Sequence, residues 1–181
     1  MSDYTVSLDP ETEMFCTLYL FENVQNSNEI RRKVMNNELS CSVIKASLIV
    51  DPFQIIIAAN KTAINAKMNQ ITTKNIYTEV LFNLSTSKNI SRTLIEFGIN
   101  DDDKNILIML IYKDDNDKKL ISKTIMDVVK GESISISRLS EFTDFDLIKK
   151  IYKIEEDELN VSNFIDSIVS RISCKDFMSF K

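Results

Sequence analysis

The residue types that do most chemistry at neutral pH are scarce here, and those present are dispersed. There is no His among the 181 residues. That removes Ser-His and Cys-His nucleophile pairs, HExxH zinc sites and imidazole proton relays. Cys16, Cys41 and Cys174 stand singly, with no CxxC spacing, so neither a zinc site nor a disulfide framework is indicated. The two glycines, Gly98 and Gly131, lie too far apart for a GxxxxGK loop or a GxGxxG turn. Carboxylates remain: Asp101-Asp102-Asp103, Asp114-Asp115-Asp117 and the acidic stretch 155–158. Such groups transfer protons or hold Mg²⁺ only when a scaffold turns them inward. With Lys104, Lys118 and Lys119 alongside, these runs read as solvated turns. No metal and no cofactor is expected, and a hydrolase using paired carboxylates is the weakest of three functional readings.

Binding chemistry is better represented. Phe164, Ile168, Arg171 and Lys175 follow one another at i+4, i+3 and i+4 steps, a single stripe on a C-terminal helix. An apolar stripe edged by cations suits a helix-mediated protein interface; the same spacing also fits a helix whose Phe164 and Ile168 are core. The preceding helix adds Ile148, Ile151 and Tyr152, with Lys149, Lys150 and Lys153 around them. This KKIYK run suits a partner's rim, RNA phosphates or a solvated face. A third region is the connection 85–92. A helix opening there points its first amides outward at a partially positive end. Lys88 and Arg92 add whole charges, and Asn83 and Asn89 offer amides to a nucleotide edge. Asn89 and Ser91 equally suit the caps of that helix. Lys61 and Asn60 interrupt an apolar helix and reach either a groove wall or a neighbouring backbone.

Several elements must position these groups. FCTLYLF (15–21) is short and aromatic-rich, as in a strand buried on both faces. Asn26 and Glu29 have capping-box spacing, predicting a helix through Met35 with Ile30 and Val34 on one face. Residues 47–50 suit a short strand. Asp51-Pro52 is a strong helix start, with Asp at the cap and Pro in the first turn. Phe53, Ile56, Ile57, Ala63 and Ile64 mark one apolar face of that helix. Ile55, Ala59, Thr62 and Ala66 mark another, so it belongs inside the fold. Residues 77–84 fit a helix or a strand, with spacing favouring the helix. The helix opened by Asn89 or Ser91 ends at Gly98, read as a C′ glycine. NILIMLIY (105–112) is a buried strand, 114–119 a charged turn, 120–129 a helix, and 132–137 an alternating strand. Asp144 opens one terminal helix, and Val161, Phe164, Ile165, Ile168 and Ile172 share a face of the last.

The sum is one helix-rich α+β domain over residues 1–181 with a small, mostly antiparallel sheet, about 1–13 being a flexible start. At this length roughly 70% of the unfolded surface is buried on folding. Net charge is −5, which disfavours a dedicated nucleic-acid binder while allowing a local basic patch. The acidic start lacks a signal-peptide pattern. The longest apolar run, 55–59, is far short of a membrane span, so no membrane partner is expected. Single cysteines fit a reducing compartment.

VDPFQIIIAANKTA (50–63), TEVLFNLS (78–85), NISRTLIEFGI (89–99), KKIYKI (149–154) and SRISCKDF (170–177) occur in this order, after RRKVM (31–35). Together they resemble the Cgi family of KEOPS subunits, animal type, over nearly the whole chain. The resemblance implies a non-enzymatic cytoplasmic and nuclear subunit that binds the small atypical kinase PRPK, and other KEOPS (EKC) subunits through it. It also implies a part in threonylcarbamoyl modification of adenosine in ANN-decoding tRNAs, whose chemistry belongs to another subunit. Family relatives are further linked to the tRNA 3′ CCA tail. Where archaeal-type members carry an Arg-Gln pair, this sequence has Lys88-Asn89. The leading reading is thus an adaptor for a kinase; the alternative is a module presenting the tRNA tail, with weak binding by the lone domain.

Overall fold

The structure, a computed structural model, describes residues 3–177. Its centre is an antiparallel sheet in the order β1-β2-β4-β3. The strands are β1 (Tyr4–Ser7), β2 (Phe15–Glu22), β3 (Ser42–Lys45), β4 (Ile106–Tyr112) and β5 (Glu132–Ile134). β2 and β4 pair along their whole length, from Phe15↔Tyr112 to Phe21↔Ile106. β1 and β5 follow one another along the other edge of β2. The apolar runs of β2 and β4 carry no polar face because helices cover both sides. Cys16, Leu18, Leu20, Leu107, Met109 and Ile111 point into one core. Tyr19, Phe21, Ile106, Ile108 and Leu110 point into the other. Burial pushes the Cys16 and Cys41 thiols up to about 12, so both are inert packing groups.

The smaller core lies under α1 (Ser27–Met35) and α5 (Asp115–Val128), through Ile30 and Ile125. The larger lies under α2 (Pro52–Lys67), α3 (Ile76–Leu84), α4 (Ile90–Phe97), α6 (Phe145–Tyr152) and α7 (Phe164–Cys174). α2 starts where Asp51 and Pro52 place it, Asp51 Oδ1 accepting from the Phe53 amide at 2.8 Å. Its innermost face is Gln54, Ile55, Ala58, Ala59, Thr62 and Ala63, the last four small enough to let α3 and α7 approach. Phe53 on the other expected apolar face is 46% exposed, with Ile56 and Ile57 half-buried. The α+β class, the helix-rich architecture and the antiparallel sheet are as expected.

Several local expectations change. The stretch expected as a flexible start carries β1 from Tyr4, paired with β2. Asn26 forms no capping box: its Oδ1 accepts from the Lys130 amide, and its Nδ2 donates to the Val128 carbonyl and Glu29. The strand expected at 47–50 lies earlier, at Ser42–Lys45, and Ala46–Leu48 is a 3-10 turn. The charged run 114–119 is not a turn but the start of α5. Asp114 caps it at 2.7 Å, and Asp115 and Asp117 suit its positive end. Gly98 is extended rather than left-handed and bridges Ile44; a Cβ there would sit 2.5 Å from the Leu94 carbonyl oxygen. After β5 the chain turns into a 3-10 segment, Ile136–Glu141, instead of continuing as a strand. Val161 precedes α7 and is exposed.

Candidate docking surface on the C-terminal helices

α6 is fixed at its start by two bonds to the segment before α2. The Asp144 amide donates to the Ser47 carbonyl at 2.9 Å, and Thr143 Oγ1 to the Ile49 carbonyl at 2.8 Å. Asp144 then caps the Leu147 amide at 3.0 Å. This orientation turns Ile148 and Tyr152 inward, where both are fully buried. The Tyr152 hydroxyl donates to the Leu84 carbonyl and accepts from Gln54 Nε2 at 3.0 Å; burial pushes its phenol up. Ile168 of α7 is equally buried. Ile148, Tyr152 and Ile168, expected on a partner surface, are therefore core: periodicity had identified a shared face, and α2, the end of α3 and the segment Ala46–Leu48 cover it.

What α6 and α7 leave outside is the other edge. Phe145 is 47% and Leu147 40% exposed, and Ile151 and Phe164 are half-buried. Phe145 and Phe164 meet edge-to-face, with centroids 5.4 Å apart. Leu147 and Ile151, one turn apart, line an open groove of about 330 Å³ with Leu48, Arg92, Glu96, Lys45 and Lys150. Lys45 is committed, donating to the Ile95 and Glu96 carbonyls that end α4 at 3.0 and 3.1 Å; burial lowers its amine's pKa. Arg92 and Lys150 are the exposed cations of the rim. Sequence reasoning missed Phe145 and Leu147 as surface groups. The available signal was the Leu147-Ile151 spacing on the side away from Ile148 and Tyr152.

The remaining expected residues separate. Arg171 is not a free anchor. Its guanidinium holds Glu158 at 2.6 and 2.7 Å and donates to the Ser167 and Lys153 carbonyls. That fork, with help from Ser167, holds the Glu158 carboxyl down at about 2. Lys175 is buried, its amine donating to the Phe82 carbonyl. Lys61 pairs with Asp176 at 2.8 Å. Asn83 is buried and donates to Thr62 Oγ1 at 2.9 Å, and Asn60 accepts from the Asp9 amide at 2.6 Å. Lys61 and Asn83 are thus engaged inside the fold, since the helices they occupy pack against each other and α7. Lys88, Asn89 and Arg92 stay together and exposed at the start of α4, with Asn89 capping the Arg92 amide at 2.9 Å. The acidic runs are also occupied structurally. Asp101 pairs with Arg31 at 3.0 Å, Asp103 accepts from the Asn100 amide at 2.6 Å and Glu156 pairs with Lys149 at 2.6 Å. Among the described residues no three acidic or sulfur ligands converge as a metal site, and no helix is long and apolar enough to cross a membrane.

The outer helices of this α+β domain thus present aromatic and aliphatic side chains beside exposed cations, the surface features that docking domains use as anchors. Comparison with known proteins narrows the class. The family model described as kinase binding protein CGI-121 matches residues 21–176. The zebrafish (Danio rerio) EKC/KEOPS complex subunit TPRKB is 36% identical over 172 residues, covering 95% of this chain and 97% of that protein. The Candida glabrata EKC/KEOPS complex subunit CGI121 is 29% identical over 147 residues, covering 80% and 81%. The Schizosaccharomyces pombe subunit cgi121 is 26% identical over 178 residues, covering 94% and 97%. The chain belongs to the CGI-121 family.

Proposed function

We propose that this protein is a non-catalytic EKC/KEOPS subunit that docks on a small PRPK-type kinase, in cytoplasm and nucleus. In this reading it meets the other subunits through that kinase and supports threonylcarbamoyl modification of ANN-decoding tRNA without performing the chemistry. Family membership and the relatives' names support the assembly. The observation that carries the docking reading is the exposed Phe145-Phe164 pair continued by Leu147 and Ile151. Burying such an edge on a partner stabilises whichever partner conformation fits it, by mass action. Residues expected on the two terminal helices contribute through that edge: Ile151 and Phe164 by contact, Arg171 and Lys175 by holding α7. The test is co-purification with the kinase from the same organism. Leu147→Asp places a charge at the centre of the proposed contact, where desolvation costs several kcal/mol. Binding is expected to be lost with the circular-dichroism spectrum unchanged; native affinity in a folded Leu147→Asp protein would refute this face.

A second reading has its own observation. Lys88, Asn89 and Arg92 converge, exposed, at the start of α4, beside the groove that also takes Lys150. That cluster supports weak, salt-sensitive contact with an RNA end. Lys88→Glu, outside the Leu147-Ile151 groove, is expected to reduce tRNA association and leave kinase binding intact.

A further inference from the structure

α5 carries a polar stripe on the side that faces the start of β1. Asp115, Lys118, Lys119, Ser122, Lys123 and Met126 recur at three- and four-residue steps, so they share one face of the helix. With Asp3 and Tyr19 they line an open groove of about 470 Å³. Tyr19 belongs to the core beneath α1 and α5. The groove therefore lies on the opposite side of the sheet from α6 and α7, away from the proposed docking edge.

The hydrogen bonds of the groove leave donors unspent. Tyr19 and Ser122 are 1% and 8% exposed, and their hydroxyls meet at 2.8 Å. That bond takes one of their two protons, whichever oxygen donates. The other proton has no acceptor among the described residues. Lys118 spends two of its three N–H groups, on Asp3 Oδ2 at 2.7 Å and Thr5 Oγ1 at 3.2 Å. Lys119 and Lys123, one turn apart, are exposed and have no partner among the described residues. The remaining carboxylate, Asp115, stands in the first turn of α5, where the positive helix end favours it. Three ammonium groups thus face two carboxylates, one of them already bound, beside a buried hydroxyl proton with nowhere to go.

We propose that this groove binds a small organic oxyanion, a phosphate ester or a carboxylate, whose oxygens take the spare hydroxyl proton and the free lysine N–H groups. Charged acceptors form the stronger hydrogen bonds with such donors. The volume is that of a small-molecule site rather than of a bare ion. Tyr19 and Met126 give the ligand's organic body an apolar wall.

The test is an amide-shift NMR titration of the full chain at fixed ionic strength, with adenosine monophosphate, citrate and inorganic phosphate as probes. Saturable shifts are expected at Tyr19 and along 118–126, and the tighter of the two organic probes tells phosphate ester from carboxylate. Inorganic phosphate is expected to bind at least about tenfold more weakly, because it leaves the apolar wall bare; equal affinity would overturn an organic ligand. Lys123→Glu, an exposed change, is expected to weaken the tighter probe about tenfold or more. Lys74→Glu, exposed in the α2–α3 connection, is expected to leave it unchanged. Tyr19→Phe combined with Ser122→Ala removes the spare proton and is expected to act like Lys123→Glu; native affinity in that double variant overturns the proposal. Shifts that do not saturate, or that weaken equally in the Lys123→Glu and Lys74→Glu proteins, mean an adventitious ion only and overturn it too. Should the double variant not fold, the two charge reversals decide.

Discussion

The Tyr152 hydroxyl donates to the Leu84 carbonyl at 2.6 Å, joining α6 to the end of α3 across 68 residues of sequence. The same oxygen accepts from Gln54 Nε2, so one phenol satisfies two buried groups. Tyr152→Phe takes this donor from the Leu84 carbonyl and one of two acceptors from Gln54 Nε2, which keeps the Leu48 carbonyl at 3.1 Å, at almost constant volume. An orphaned buried group costs about 1–3 kcal/mol, and each kcal/mol shifts the melting midpoint of a domain this size by roughly 2–4 °C. A thermal melt of the variant is expected to fall by several degrees.

Ile55 and Phe53 sit two residues apart on α2 with opposite environments: Ile55 is fully buried, Phe53 half in solvent. Ile55→Ala is expected to cost about 2–5 kcal/mol. Phe53→Ala is expected to cost clearly less, as it leaves no enclosed cavity. Urea titrations of the two single variants compare them directly, and equal losses would contradict the burial.

Glu158 and Arg171 predict an acid response. The Glu158 carboxyl is held at about 2 instead of 4.5, a folded-state value below the unfolded one. The ion pair's contribution is therefore fully present above about 4.5 and is lost as pH falls toward about 2. Glu158→Gln removes that dependence. Melting midpoints of native protein and variant are expected to differ at neutral pH and converge across this window. A constant difference down to pH 2 would show that the pair is not the cause.

Gly98 is required by approach rather than by handedness, its backbone being extended. Gly98→Ala puts a methyl against the Leu94 carbonyl, backbone that cannot rotate away. A loss of about 1–3 kcal/mol is expected, with local loosening of the Ile44 bridge visible in exchange of the Ile44 and Gly98 amides. An unchanged melt would mean that α4 can shift at no cost.

Elements whose signals are local were legible in the sequence. Asp51-Pro52 and Asn89 start helices because cap and first turn lie within three residues of each other. The β2 and β4 runs are recognisable because burial on both faces leaves nothing polar to alternate. The charged run 114–119 was ambiguous, as Asp suits a turn and a helix's first turn equally. The proposed docking face was only half legible. Spacing groups Ile148 with Tyr152, and Phe164 with Ile168, but which side of each helix its neighbours cover is set by contacts distant in sequence. Arg171 and Lys175 looked like a basic rim for the same reason: their partners, Glu158 and the Phe82 carbonyl, are not implied by the stripe they share.

The capping of α3 by Tyr152 and Lys175 also fixes an order of events during synthesis. Leu84 leaves the ribosome's catalytic centre well before the residues that complete it. At about 5–20 residues per second, the interval to Lys175 is roughly 5–20 s. β2 waits similarly for β4, as Phe15 pairs with Tyr112. Throughout that interval the end of α3 and the connection to α4 lack their final partners, so this region matures last. A nascent chain from which α5 has fully emerged can pair β2 with β4 while the root of the α3–α4 connection still lacks Tyr152 and Lys175.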